Sequence, residues 1–330
     1  MSTILISAPY FLPVINRFKP LFSHYHLELI IPEVQERLEE EDLLEYAGTY
    51  DATICGDDGY SAKVLKACAP RLKVISKWGT GIDSIDKSVA ARLGILVCNT
   101  PDAFTSPVAD SVMGYILTFA RRLLWTDRVM KAGQWKKMPG RSLAECTLGV
   151  VGVGNIGKAV LRRARAFGMQ LLGNDIIEID PDFLTEVDVE MTSLEDLLSR
   201  SDFISLNCDL NPTSFHLINA KTLAAIQPHA VLINTARGSV VDEPALIAAL
   251  QSGHMAGAAL DVFEIEPLPD DSPLLHMDNV LLSPHNANSS PSAWERVHIN
   301  TLRNLLKGLG IPTEDFDDQI GLLTDDRSTT

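Results

Sequence analysis

An arginine, a glutamate and a histidine, Arg237, Glu266 and His285, each stand just beyond a short apolar run in the second half of the chain. The runs are Ala230–Asn234, Gly257–Asp261 and Asn279–Ser283. Short runs of this kind read as buried strands. If they are parallel strands of one sheet, their C-terminal ends form one rim, the edge at which open α/β sheets take ligands. A guanidinium presents a planar fork of donors to an anionic group. An imidazole moves a proton near neutral pH, and a carboxylate beside it favours its charged form. Together the three can bind an anionic substrate and transfer a proton, which is enzyme chemistry.

The elements that must position them fit a two-domain enzyme. A chain of 330 residues exceeds the size at which one hydrophobic core stops growing. Hydrophobic residues make up 46% and charged residues 22%, an ordinary globular balance. The net charge of −15 argues against a nucleic-acid partner, since phosphate binding needs clustered Lys and Arg. No stretch approaches the roughly 20 apolar residues of a membrane span. The start, Met1–Tyr10, lacks a basic leader region and reads as a first strand. Five cysteines (Cys55, Cys68, Cys98, Cys146 and Cys208) have no metal-ligand spacing. They read as buried reduced thiols, with no metal, in a cytoplasmic protein.

Strand-like and helix-like segments alternate along the chain, which predicts α/β architecture with parallel sheets. Thr3–Ser7, Leu27–Ile31, Ala52–Cys55, Lys73–Ser76 and Ile95–Cys98 read as strands, and Glu33–Ala47 as an acidic helix whose Glu39–Asp42 run is a solvated face or a helix start. Asn99–Phe104 breaks the pattern, and one long helix is expected over Pro107–Trp125, with proline at its start. A second alternating series runs from Thr147 to about Ser283, and a further helix from Pro291 through Leu306. The tail beyond Gly310 is acidic and polar, with disorder expected at 325–330.

Gly152-x-Gly154-x-x-Gly157 directly follows the strand Thr147–Val151 and opens a helix expected over Asn155–Phe167. Glycines at these positions allow a tight turn, close approach of backbone to a pyrophosphate, and close helix–strand packing. The helix start, at Asn155 and Ile156, offers N–H groups and a positive dipole end to phosphates. A second strand, Gln170–Asp175, ends in an acid 18 residues past Gly157. An acid near that spacing accepts hydrogen bonds from the ribose hydroxyls of a dinucleotide and repels a 2′-phosphate. Ile176 and Ile177 bring no cation for such a phosphate, so the cofactor expected is NAD rather than NADP.

The blocks Leu232–Asp242, Ala258–Pro267 and Leu282–His285, with Lys73–Asp86 and Asn99–Pro101 before them, resemble the D-isomer-specific 2-hydroxyacid dehydrogenases. The agreement spans about residues 50–305. It implies two doubly wound parallel-sheet, Rossmann-like domains. A discontinuous substrate domain would comprise residues 1–104 and 290–330, and an inserted NAD domain residues 105–289. By the same resemblance Arg237 anchors and polarises the substrate, His285 carries the proton, and Glu266 pairs with its imidazole. Lys77, Trp78, Gly79, Thr80 and Gly81 would offer backbone N–H groups to the substrate carboxylate. Thr235, Ala236 and Asp261 would hold the nicotinamide and its ribose, with Asp261 on the carboxamide and Cys208, Arg237 and His285 at further cofactor contacts. The implied reaction interconverts a small D-2-hydroxyacid and its 2-oxoacid. A homodimer through the cofactor domain is also implied, with Trp125–Arg141 as its arm.

Three departures bear on the substrate. Asn286-Ala287-Asn288 replaces the small pair that often follows the family's histidine, and Asp209 replaces a proline beside Cys208. Cys55-Gly56-Asp57-Asp58-Gly59 stands where phosphoglycerate-type members have an arginine, and the added regulatory domain of some of those members is not expected. A short 2-oxoacid is therefore expected. Phosphoglycerate is the rival substrate, and an NAD(H)-sensing oligomeric regulator is the rival of another class.

Overall fold

The structure, a computed structural model, describes residues 1–325. The chain divides into two compact units. One is Met1–Ala103 with the segment from Ser290 onward, and the other is Phe104–Ser289.

The first unit contains β1 (Ser2–Ile6), β2 (Leu27–Ile30), β3 (Ala52–Cys55), β4 (Val74–Lys77) and β5 (Leu96–Cys98). All are parallel, in the order β2-β1-β3-β4-β5, with Ile4 opposite Ala52 and Ala52 opposite Val74. The order reverses between β1 and β3, which makes the C-terminal ends of those strands the ligand-taking point of such a sheet. Every residue of β3 and β4 is buried, so these strands read as continuous runs rather than as an alternating pattern. The long helix Pro291–Gly308 packs on β3, β4 and β5. Gly308 allows it close to β4, because a Cβ there would meet both Val74 methyls at 2.7 Å.

The second unit contains β6 (Thr147–Val151), β7 (Gln170–Asn174), β8 (Val189–Met191), β9 (Phe203–Leu206), β10 (Val231–Asn234), β11 (Gly257–Leu260) and β12 (Val280–Leu282). The sheet is parallel throughout, in the order β12-β11-β10-β9-β6-β7-β8. This is the order of the dinucleotide-binding fold with one added strand, and it reverses between β6 and β9. One face of the sheet buries Val150, Ile233 and Ala259 with the helices Thr105–Ala120 and Asn155–Ala166; the other buries Val151, Leu232 and Leu260 with the helix Glu243–Gln251.

Several boundaries differ from the expectations. The helix expected over Glu33–Ala47 contracts to Glu40–Glu45. Its acidic run is a helix start, in which Glu39 and Asp42 cap the first turn reciprocally. The single helix expected over Pro107–Trp125 is two helices, Thr105–Ala120 and Leu123–Lys131. Arg122 breaks them with a φ of +56°. Phe316–Asp325 is helical, and the remainder of the tail expected to be disordered lies outside the described residues. All five cysteines are free, three buried and two half-buried. Among the described residues no helix is long and apolar enough to cross a membrane, and no cluster of His, Cys, Asp and Glu could hold a metal ion.

Candidate active site

In the second unit β10, β11 and β12 are adjacent and parallel, so Arg237, Glu266 and His285 leave one edge of the sheet. His285 Nδ1 lies 2.9 Å from Glu266 Oε2. The other oxygen of Glu266 accepts from Phe263 N–H at 2.9 Å, which fixes the carboxylate plane. A carboxylate only accepts, so Nδ1 carries a proton toward Glu266, and Nε2 is the ring nitrogen on the side away from it. Both side chains are about a fifth exposed. Arg237 is half-buried, and its Nη1 donates to the Ala236 carbonyl at 2.9 Å. The turn behind it is braced by Asn234, whose Nδ2 donates to the Arg237 carbonyl at 2.9 Å and whose Oδ1 accepts from Ala236 N–H at 3.0 Å. Gly238 next to it packs on the backbone of Phe263 and Glu264, and any Cβ there would overlap that backbone. The arginine turn and the glutamate segment are thereby held against each other.

The His285 loop is built on Asp261. The His285 N–H reaches the Asp261 carbonyl at 2.8 Å. The N–H groups of Asn286 and Ala287 reach Asp261 Oδ1 and Oδ2 at 2.8 and 2.9 Å. These bonds hold His285 in the left-handed region, with φ at +50°, a conformation that few non-glycine residues adopt. Asp261 is 1% exposed, and burial pushes its carboxyl above the usual range in spite of these donors.

The glycine turn divides its work by position. Gly152 has φ +89°, and a Cβ on it would meet Cys208 N at 2.6 Å, so the loop after β9 lies directly on the turn. Gly157 packs on the Gly152 carbonyl, where a Cβ would overlap it. A Cβ on Gly154 would meet nothing within 4 Å, so this is where another molecule's backbone-like group can come close. Gly154 brings no side-chain cap to the helix Asn155–Ala166, and Asn155 and Gly154 are exposed. Asp175 stands at the end of β7, half-buried, with Oδ2 on Val153 N–H at 2.6 Å and Oδ1 on Ile177 N–H at 3.1 Å. Each oxygen keeps a further lone pair for a hydroxyl donor. Ile176 and Ile177 are exposed, and Ile156 is half-buried. Two buried polar atoms at the same edge, Thr235 Oγ1 and Asn207 Oδ1, have no hydrogen-bond partner among the described residues. An uncapped helix start, an open glycine, an acid at the end of β7 and orphaned oxygens beyond β9 and β10 fit a dinucleotide. Burial raises the Cys208 thiol to about 11, so it stays protonated as a small packing residue.

In the first unit the expected carboxylate loop is only partly as read. Lys77 is 4% exposed, and its Nζ lies 2.9 Å from Asp57 Oδ1. The Trp78 N–H is taken by the Cys55 carbonyl at 2.8 Å, which removes it from the expected donor set. Thr100 N–H and Asn99 Nδ2 hold the carbonyls of Gly79 and Thr80 at 2.8 and 2.6 Å. In a trans peptide the next N–H points opposite the carbonyl. The N–H groups of Thr80 and Gly81 therefore face away from residues 99 and 100.

A family profile described as the NAD binding domain of D-isomer specific 2-hydroxyacid dehydrogenases matches residues 113–287. A glyoxylate reductase of Korarchaeum cryptofilum is 42% identical over 255 residues, 76% of each chain. The chain belongs to the D-isomer-specific 2-hydroxyacid dehydrogenases. A hydroxypyruvate reductase of Thermotoga maritima is 37% identical over 281 residues, 84% of this chain and 90% of that one. The solved D-lactate dehydrogenase of Aquifex aeolicus, complexed with NAD and lactic acid, superposes with a TM-score of 0.80 at 30% identity, covering 91% of this chain and 93% of that one. The protein is an NAD-dependent oxidoreductase of D-2-hydroxyacids.

Two features of the dehydrogenase were missed in its sequence. Asn207 carries one of the orphaned oxygens, and its only sequence signal is a polar residue directly after an apolar strand. A second imidazole–carboxylate pair, His216 Nε2 to Glu264 Oε1 at 2.6 Å, shares the glutamate segment with the first. Nothing in the spacing of His216 announces it.

Proposed function

We propose that this dehydrogenase interconverts a small D-2-hydroxyacid and its 2-oxoacid, with Arg237 as carboxylate anchor and His285–Glu266 as proton-transfer pair. The observation that carries the reading is the fixed His285–Glu266 contact, which leaves Nε2 as the exchanging atom. Bound NADH would supply the hydride for C2. Its pyrophosphate would rest on Gly154, Asn155, Ile156 and Gly157, its adenosine ribose on Asp175, and its nicotinamide half against Thr235, Ala236 and Cys208. Arg237 pairs with the substrate carboxylate and polarises the C2 carbonyl. His285 Nε2 delivers the proton to the carbonyl oxygen, and Glu266 stabilises the imidazolium before that transfer. The first unit is the substrate-binding one in this reading, with Thr80 and Gly81 N–H groups as donors to an anionic oxygen.

The test is NADH oxidation with glyoxylate, hydroxypyruvate and 3-phosphohydroxypyruvate. His285→Ala should lower kcat by about 10²–10⁴ with NADH affinity retained. An unchanged kcat would remove His285 from the proposed role. NADH binding without turnover of any 2-oxoacid would favour a sensing protein instead.

A homodimer is part of the same proposal. The helix Leu123–Lys131 buries none of its residues, and Trp135 beyond it is 88% exposed. A second copy would cover this apolar surface, and Trp135→Ser should lower the molar mass measured by light scattering. The free thiols suit a reducing cytoplasm.

A further inference from the structure

Three aromatic rings meet at the C-terminal edge of the first unit's sheet. Tyr10 comes from the loop after β1, Trp78 from the end of β4, and Trp294 from the first turns of the helix Pro291–Gly308. Their centroids are 5.4 Å (Tyr10–Trp78), 5.3 Å (Tyr10–Trp294) and 5.9 Å (Trp78–Trp294) apart. Trp78 is the inner ring, 4% exposed, and its indole N–H donates to His298 Nδ1 at 3.0 Å. His298 is itself packed against Phe11 and Phe18. Tyr10 and Trp294 are the outer, half-exposed rings. Tyr10 lies in the loop of the strand at which the sheet order reverses, the ligand-taking point of such a sheet.

Two cations near this cluster already face carboxylates. Lys77 is held by Asp57 at 2.9 Å, and Arg17 Nη2 by both oxygens of Glu295 at 2.8 and 2.9 Å, while Arg17 Nε and Nη1 are buried. Asp58 is fully buried, bound by Ser7 Oγ and by Leu38 N–H at 2.6 Å. At Gly56, just after β3, a Cβ would meet Pro9 Cδ at 3.0 Å, so the β1 loop packs closely on this position. A phosphate at this edge would have to draw Lys77 out of its pair or reach Arg17 nitrogens that are buried. An apolar group would meet aromatic faces, against which flat rings pack in offset or edge-on arrangements.

We propose that Tyr10 and Trp294, backed by Trp78, are specificity-determining residues that receive the C3 substituent of the substrate and select an apolar, preferably aromatic, side chain over a phosphorylated one. This rests on the reading of the first unit as the substrate-binding one. It narrows the substrate to 2-oxoacids of the phenylpyruvate type.

The experiment compares kcat/KM for phenylpyruvate, glyoxylate and 3-phosphohydroxypyruvate at saturating NADH, in the wild type, Trp294→Ala, Trp294→Phe and Tyr10→Ala. In the wild type phenylpyruvate should exceed glyoxylate at least tenfold, and 3-phosphohydroxypyruvate should be the poorest. The phenylpyruvate-to-glyoxylate ratio should fall at least tenfold in Trp294→Ala and Tyr10→Ala, and return in Trp294→Phe. Reduction of glyoxylate with no advantage for phenylpyruvate, or a ratio unmoved in both alanine variants, overturns the aromatic wall alone. Reduction of none of the three acids overturns the proposed reaction and the wall with it.

Discussion

Asp261 grips the loop that carries His285 at three points, through its own carbonyl and both carboxylate oxygens, at 2.8, 2.8 and 2.9 Å. The aspartate expected on the nicotinamide carboxamide is thus engaged in setting the proton carrier. Replacing it by asparagine turns one acceptor into a donor that faces a backbone N–H. A buried N–H left unpaired costs about 1–3 kcal/mol, and a reacting group displaced by about 1 Å costs on the order of 10² in rate. Asp261→Asn should therefore lower both the urea midpoint and kcat, and shift the pH dependence of kcat/KM. A lowered midpoint with kcat and its pH profile unchanged would leave Asp261 a folding residue only.

Asp175 also serves two ends. Its oxygens hold the N–H groups of Val153 and Ile177, so it shapes the glycine turn while facing the position of a ribose. Asp175→Ala should reduce the ratio of kcat/KM with NADH to that with NADPH at least tenfold. Adding Ile176→Arg should raise NADPH use further, because the exposed side chain can then meet a 2′-phosphate. A ratio that does not move in Asp175→Ala would show that another group discriminates the cofactors.

The parts of this design that sequence could carry are those written in local patterns. Parallel strands buried on both faces appear as continuous apolar runs, and residues just past them share an edge, which made Arg237, Glu266 and His285 readable as one set. The glycine spacing likewise states its own geometry. What stayed hidden depends on distant backbone. The Asp261 side chain captures N–H groups 25 and 26 residues away. The Trp78 N–H is consumed by the neighbouring strand, and only the sheet order reveals that. The break at Arg122 has neither glycine nor proline beside it to announce it. Sequence also put the acidic helix too early, since the Glu39–Asp42 cap fixes its start within the acidic run.

The second and third glycines of the turn, Gly154 and Gly157, separate binding from folding. A methyl group at Gly154 meets no protein atom within 4 Å, and the backbone φ there is −74°. Gly154→Ala should fold as the wild type does, while raising the Kd for NADH at least tenfold by blocking the pyrophosphate. A methyl group at Gly157 overlaps the Gly152 carbonyl, so Gly157→Ala should lose about 1–3 kcal/mol of stability or more. Thermal melts and NADH fluorescence titration of both variants check this. Unaltered NADH affinity in Gly154→Ala would move the pyrophosphate away from the turn.

His298 should make the stability of the first unit depend on pH. Burial first, and the Arg17 charge second, push its pKa from 6.5 down to about 4. Between those values the unfolded chain binds a proton at this position and the folded chain does not. Stability from this residue is therefore fully present above about pH 6.5 and is lost as pH falls toward about 4. The loss amounts to up to about 3 kcal/mol. His298→Gln keeps an acceptor for the Trp78 indole and cannot take up the proton. Urea unfolding followed by tryptophan fluorescence at pH 7 and pH 4.5 should show a smaller loss in the variant than in the wild type. Equal losses would mean that His298 takes up its proton as readily in the folded chain as in the unfolded one.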